Sequence, residues 1–173
     1  MRCRSHCKTQ DDADLRALRV AYFVEFDGAT PDQDTRRTLA DVIAALAEDR
    51  IVSEEVALPR IEESRGITQA YWDRSHPSNW TEWDTQDGTG LSGTEVDRSL
   101  FEWDRLRRAM LRFLQDFDAV ICPVAERAAG PHGSVDAQSY IYTLPFSLTG
   151  WPVALALAGR IETLLGGWRA PAI

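Results

Sequence analysis

Few residues in this 173-residue chain have the type and spacing for covalent chemistry, and the clearest set surrounds Cys122. Cys122, His132 and Asp118 can be drawn as a Cys–His–Asp relay, in which a neighbouring base activates the thiol for attack. Against that, Cys122 lies within the apolar run Ala119-Val120-Ile121-Cys122-Pro123-Val124. A free cysteine in a buried strand behaves as a small hydrophobe. Cys3, His6 and Cys7 have a spacing that fits zinc, but a structural site needs four ligands and no second pair lies nearby. No metal is therefore expected. Lys8 is the chain's one lysine. In a solvated cationic segment a pKa near ~10.4 keeps it charged, so it makes a poor base. No Ser-Ser dipeptide and no Gly-x-Ser-x-Gly elbow occurs. The expected catalytic set is empty.

A binding role rests on aromatic residues. Tyr71, Trp72, Trp80, Trp83 and Trp103 could line an acyl or aryl pocket. Trp103 sits better in a helix core, and Trp80 and Trp83 read as loop anchors. The pocket candidates are Trp80, Trp83, Cys122 and His132. The acidic pairs Glu54-Glu55 and Glu62-Glu63 are most simply solvated faces.

Positioning these residues requires an alternation of strands and helices. Residues 1–16 lack periodicity and read as a flexible lead-in to a domain covering 17–173. A buried strand is predicted over 18–24, followed by a turn at Asp27-Gly28. Thr30 as cap, Pro31 and Gln33 then open a helix whose apolar face carries Leu39, Val42, Ile43 and Leu46. A second strand over 51–56 closes a strand–helix–strand unit, which favours a right-handed crossover and parallel pairing. Another helix runs from Pro59 to about Trp72, and 74–93 reads as a long loop. The strongest helix spans 95–117, with Leu100, Trp103, Leu106, Met110, Phe113, Leu114 and Phe117 on one face. Arg105, Arg107, Arg108 and Arg112 are placed to pair with acids on the same helix. A strand over 119–124, a loop over 126–139, a turn-rich element over 142–152 and an apolar strand over 153–159 complete the pattern. This is an α/β layered fold, with a mixed sheet flanked by helices.

Composition narrows the partners. A formal charge of −8 and a pI near 4.9 argue against nucleic acid and against an anionic membrane surface. No run approaches the roughly 20 apolar residues of a membrane span, and the basic N-terminus has no apolar segment behind it. Three cysteines, an odd number, suit a reducing cytoplasm better than a disulfide framework.

Several segments in order carry a family resemblance. They are Leu18-Arg19-Val20-Ala21, the helix from Pro31, the short strand Val52 to Val56, the long helix from Arg98 to Asp118, Val120-Ile121-Cys122-Pro123, Pro131-His132-Gly133, and Leu144-Pro145-Phe146-Ser147-Leu148-Thr149-Gly150-Trp151-Pro152. The last is the most specific. Together they resemble the C-terminal half of the amidase signature family, serine hydrolases that cleave carboxamides with a Ser–cis-Ser–Lys triad and no cofactor. The resemblance implies a partial amidase-like domain whose nucleophile loop and lysine should lie upstream of Leu18, where this sequence matches neither. It also implies that residues 160–171 correspond to the end of the family's final helix, with one core strand missing after 159. The chain reads as N-terminally truncated and internally shortened. On this reading it is inactive alone and would act on a small-molecule amide only beside a complementing chain. Two alternatives stay open. One is a non-catalytic interaction module that forms homo-oligomers through exposed sheet edges. The other is an enzyme that uses Cys122.

Overall fold

The computed structural model describes residues 14–26, 28–72, 92–128, 140–164 and 168–172; for Trp72 and residues 160–172 it describes the backbone course alone. The expected lead-in up to residue 13, the loop over 74–91 and the Pro131-His132-Gly133 loop lie outside these residues.

The molecule is built on a parallel sheet. Strand β1, Arg19–Tyr22, is flanked by β2, Val52–Glu55, and by β3, Ala119–Ile121, in the order β2-β1-β3. Both pairings are parallel, with Arg19 opposite Val52 and Val20 opposite Ala119. Val20 and Ala21 are buried, as expected of the central strand of a covered sheet. β3 stops earlier than the expected 124 because Pro123 has no N–H to continue a ladder, and 124–128 bend away. Antiparallel pairing occurs in a separate two-stranded ribbon, so within the described residues the mixed character is divided between two sheets.

Helix α1, Gln33–Glu48, makes the crossover from β1 to β2. Its cap is Asp32, whose carboxylate accepts the Thr35 N–H at 2.8 Å, and not Thr30. The shift has a local cause. The Thr30 N–H donates to the Glu126 carboxylate and the Asp32 N–H to the Glu126 carbonyl, both at 2.7 Å. These bonds keep the chain extended for two residues longer. At the far end the Arg50 N–H donates to the Ala47 carbonyl and the Ile51 N–H to that of Leu46. This double closure normally takes glycine at the left-handed position, but here Arg50 occupies it with φ 63°.

Helix α2, Glu63–Trp72, starts four residues later than Pro59, because 59–62 form tight turns. Helix α3, Gly93–Phe113, opens with a full capping box between Ser92 and Glu95. Hydrogen bonds from Ser92 hold the Glu95 carboxyl below the usual range. α3 ends at Phe113, ahead of the expected 117, in a turn over 114–116. Leu106 and Met110 are fully buried, whereas Leu100 is 47% exposed, since the N-terminal half of α3 has little of the described core against it. Arg105 pairs with Glu102 and Arg108 with Asp104 along the helix, as their spacing predicts. Arg60, also left-handed at φ 63°, bridges Glu63 on α2 and Glu102 on α3.

The turn-rich element forms a short helix α4, Leu144–Thr149, closed by Gly150 at φ 69°. Two expectations for the tail are corrected. Residues 151–158 form no strand among the described residues, and 152–158 are exposed. Residues expected to end a helix instead pair as β4, Gly159–Leu164, with β5, Trp168–Ala172. The adjacent glycines Gly166-Gly167 are costly within a helix, which helps account for the outcome.

Two substitutions test this packing. Leu106→Ala is expected to cost about 2–5 kcal/mol in urea unfolding, against less than about 0.5 kcal/mol for Leu100→Ala on the same helix. Arg50→Gly relieves a left-handed side chain that carries a cost of roughly 1 kcal/mol, and is expected to raise stability by up to that amount.

Candidate functional site

Open parallel sheets present ligand-binding crevices at the carboxyl ends of their strands, where loops diverge. Here the chain leaving β1 (residues 23–31) and the chain leaving β2 (56–62) enclose a groove of about 240 Å3. Its floor is Phe23, Phe26, Leu58 and Ile61, with Ala57 beside them, and its two acidic residues are Glu25 and Glu62. The floor is held from behind. Phe23 stacks on Tyr142 at 6.2 Å, and Phe26 meets the same ring edge-on at 5.5 Å. The Tyr142 hydroxyl donates to the Val24 carbonyl at 2.7 Å, which fixes the strand exit.

The same end of the sheet gathers charge. Glu25 is paired with Arg36 of α1, and Glu126 lies on the chain leaving β3. Burial, followed by the Glu126 carboxylate, pushes the Tyr142 phenol well above its usual range, so it stays a neutral donor. Cys122 belongs to this cluster too. As a residue it is half-buried, yet its thiol is well desolvated, and burial pushes it up to about 12.

These positions decide what the residues can do. A thiol raised by burial is a weak nucleophile at neutral pH, because the thiolate is the reactive form. Asp118 sits at the opposite end of β3, about 13 Å away along an extended strand. There its carboxylate accepts the Arg19 N–H at 2.9 Å. Cys122 and Asp118 are therefore not brought together as a relay. The groove residues include no Ser, Cys, His or Lys, and the ionisable groups on the groove are the carboxylates of Glu25 and Glu62. Among the described residues no group of three metal-ligating side chains occurs. Trp80, Trp83 and His132 lie outside the described residues, and Cys122 lies outside the groove lining. Trp103 is half-buried in the helix layer and donates from Nε1 to the Leu148 carbonyl at 2.6 Å.

Glu25 and Glu62 were the residues that sequence reasoning passed over. Glu62 reads as half of a solvated acidic pair, and only its neighbour Glu63 turns to Arg60. The one available signal was position: each follows a strand end within a few residues.

No protein-family model matches the chain, and no curated protein matches it. Among solved structures, a glutamyl-tRNA(Gln) amidotransferase subunit from Thermotoga maritima is similar, with a TM-score of 0.50 and 18% sequence identity. The likeness covers 79% of this chain and 34% of that one. The chain thus spans about a third of that neighbour's length, and the shared feature is the fold, an α/β scaffold like that of the amidotransferase subunit.

Two measurements probe the cluster. Tyr142→Phe leaves the Val24 carbonyl without its partner and is expected to cost about 1–2 kcal/mol in chemical unfolding. Alkylation of Cys122, followed by peptide mass spectrometry, is expected to run more than about tenfold slower in the folded protein than in denaturant at mildly alkaline pH. The sign follows from the direction of the shift. The unfolded thiol ionises near its ordinary value, and the folded thiol only as the pH climbs towards about 12.

Proposed function

We propose that this chain is a C-terminal portion of an amidase-signature hydrolase and that it hydrolyses no amide by itself. The observation that carries the reading is the fold likeness to an amidotransferase subunit over 79% of the chain, joined to the ordered segments that end in Leu144-Pro145-Phe146-Ser147-Leu148-Thr149-Gly150-Trp151-Pro152.

The chemistry supports the second half of the proposal. Amide hydrolysis needs an activated nucleophile, a base within hydrogen-bond reach and donors for the oxyanion. Burial raises the Cys122 thiol, the groove residues include no Ser, Cys, His or Lys, and the chain's one lysine is Lys8. Activity on a carboxamide then requires a complementing chain that brings a lysine, two serines and a glycine-rich loop. In that assembly Trp80, Trp83, Cys122 and His132 would contribute to the wall of the amide pocket, and the complex would work in the cytoplasm.

A second reading, a non-catalytic interaction module on the same scaffold, is favoured by a different observation. The outer edges of β2 and β3 have no partner strand among the described residues, and open edges invite pairing with another chain.

Ammonia release from a panel of aliphatic and aromatic carboxamides tests the leading reading. The purified chain is expected to stay at the background rate. Turnover that persists through purification and disappears in Cys122→Ala would overturn the proposal in favour of a thiol enzyme.

A further inference from the structure

The most exposed apolar segment of the described chain is also a segment without regular structure. Residues 153–158 read Val-Ala-Leu-Ala-Leu-Ala, and Val153, Leu155 and Leu157 are 64%, 71% and 61% exposed. The alternation has the period of a strand, with the larger side chains on one face and alanines on the other. No backbone hydrogen bond among the described residues involves 152–158. Six extended residues span about 20 Å, an ordinary strand length. The segment has strand character and lacks a ladder.

A complementary edge exists on the sheet. The Phe23 N–H donates to the Ile121 carbonyl at 3.1 Å, so Ile121 faces β1. By strand alternation, Val120 and Cys122 turn their N–H and C=O groups to the open side of β3. Their side chains pack against the hydrophobic core. Charge separates the two open edges. β2 ends in exposed Glu54 and Glu55 on a chain of net charge −8, and such charges blunt an edge against addition. β3 is Ala-Val-Ile and carries no charge, matching the neutral 153–158 segment.

We propose that residues 153–158 of one copy add as a strand to the open edge of β3 in a second copy, and that the exchange is reciprocal. Each chain carries both donor and acceptor, so a two-fold arrangement satisfies both segments at once and closes without further growth. The added strand sets Leu155 and Leu157 beside Val120 and Cys122 and extends the same apolar face. This deepens the second functional reading and rests on its open-edge premise, naming the segment and the edge.

The test is the mass of the full-length chain by light scattering and sedimentation from dilute to concentrated solution, with hydrogen exchange on the same samples. A dimer is expected, with amides of 153–158 protected as it forms. Ala156→Pro removes a ladder donor, and Leu155→Lys places a charge in the new apolar face. Both positions are exposed and make no backbone bond within the described chain, so the monomer's fold is unaffected. Each variant is expected to weaken dimerisation about tenfold or more. A dimer indifferent to both variants overturns the strand assignment while leaving an interaction module standing. A monomer at every concentration overturns both. Protection of 153–158 in a monomer assigns the segment to its own chain and overturns the proposal.

Discussion

The rest of the structure depends on β1 being paired on both sides. β1 is the one strand of the parallel sheet whose two edges are both occupied, by β2 through the α1 crossover and by β3 nearly a hundred residues later. Val20 and Ala21, which point to its two opposite faces, are both buried, and its exit has to be held so that the groove floor stays in register. Tyr142 does the holding: one ring meets Phe23 and Phe26, and one hydroxyl satisfies the Val24 carbonyl. A half-buried carbonyl left unpaired there would carry part of the cost of its desolvation. The neutral phenol is therefore a structural requirement, and the same burial that keeps it neutral also keeps the neighbouring Cys122 thiol protonated.

The helix layer obeys a similar economy of long-range ties. α2 and α3 are joined through Arg60, and α3 to α4 through the Trp103 bond to the Leu148 carbonyl. Two of the left-handed residues are arginines, Arg50 and Arg60. At Arg60 the strain has a visible return, since its guanidinium reaches carboxylates on both helices. At Arg50 the return is a closed helix end alone.

Much of this was legible in the residues. The strand–helix–strand unit, its parallel pairing and the buried face of α3 at Leu106 and Met110 follow from periodicity, which reports on local burial. What escaped were features decided elsewhere in the chain. Asp32 caps α1 in place of Thr30 because Glu126, far away in sequence, holds the intervening backbone. Leu100 has the spacing of a core residue but lacks a covering partner among the described residues. The 153–158 run has a strand's pattern, and a pattern alone supplies no neighbour to pair with. The groove was invisible for the same reason: Glu25 and Glu62 are acids on separate loops until the sheet brings those loops side by side. Of the four pocket residues named from sequence, Cys122 alone falls within the described structure, where it is half-buried and packs against the core.

The pairing of β1 with β3 has a consequence for how the protein comes to be made. β1, α1 and β2 emerge from the ribosome first and can form their local unit, but β3 follows almost a hundred residues after β1, and Tyr142 lies 118 residues beyond Val24. At about 5–20 residues per second, the nascent unit, complete once β2 has emerged, waits roughly 3–13 seconds with one side of its central strand bare. Loop closure over that separation adds only a modest entropic cost, so equilibrium stability suffers little. The interval itself is the exposure: during it, the edge of β1 that β3 will occupy stays open to capture by another growing chain.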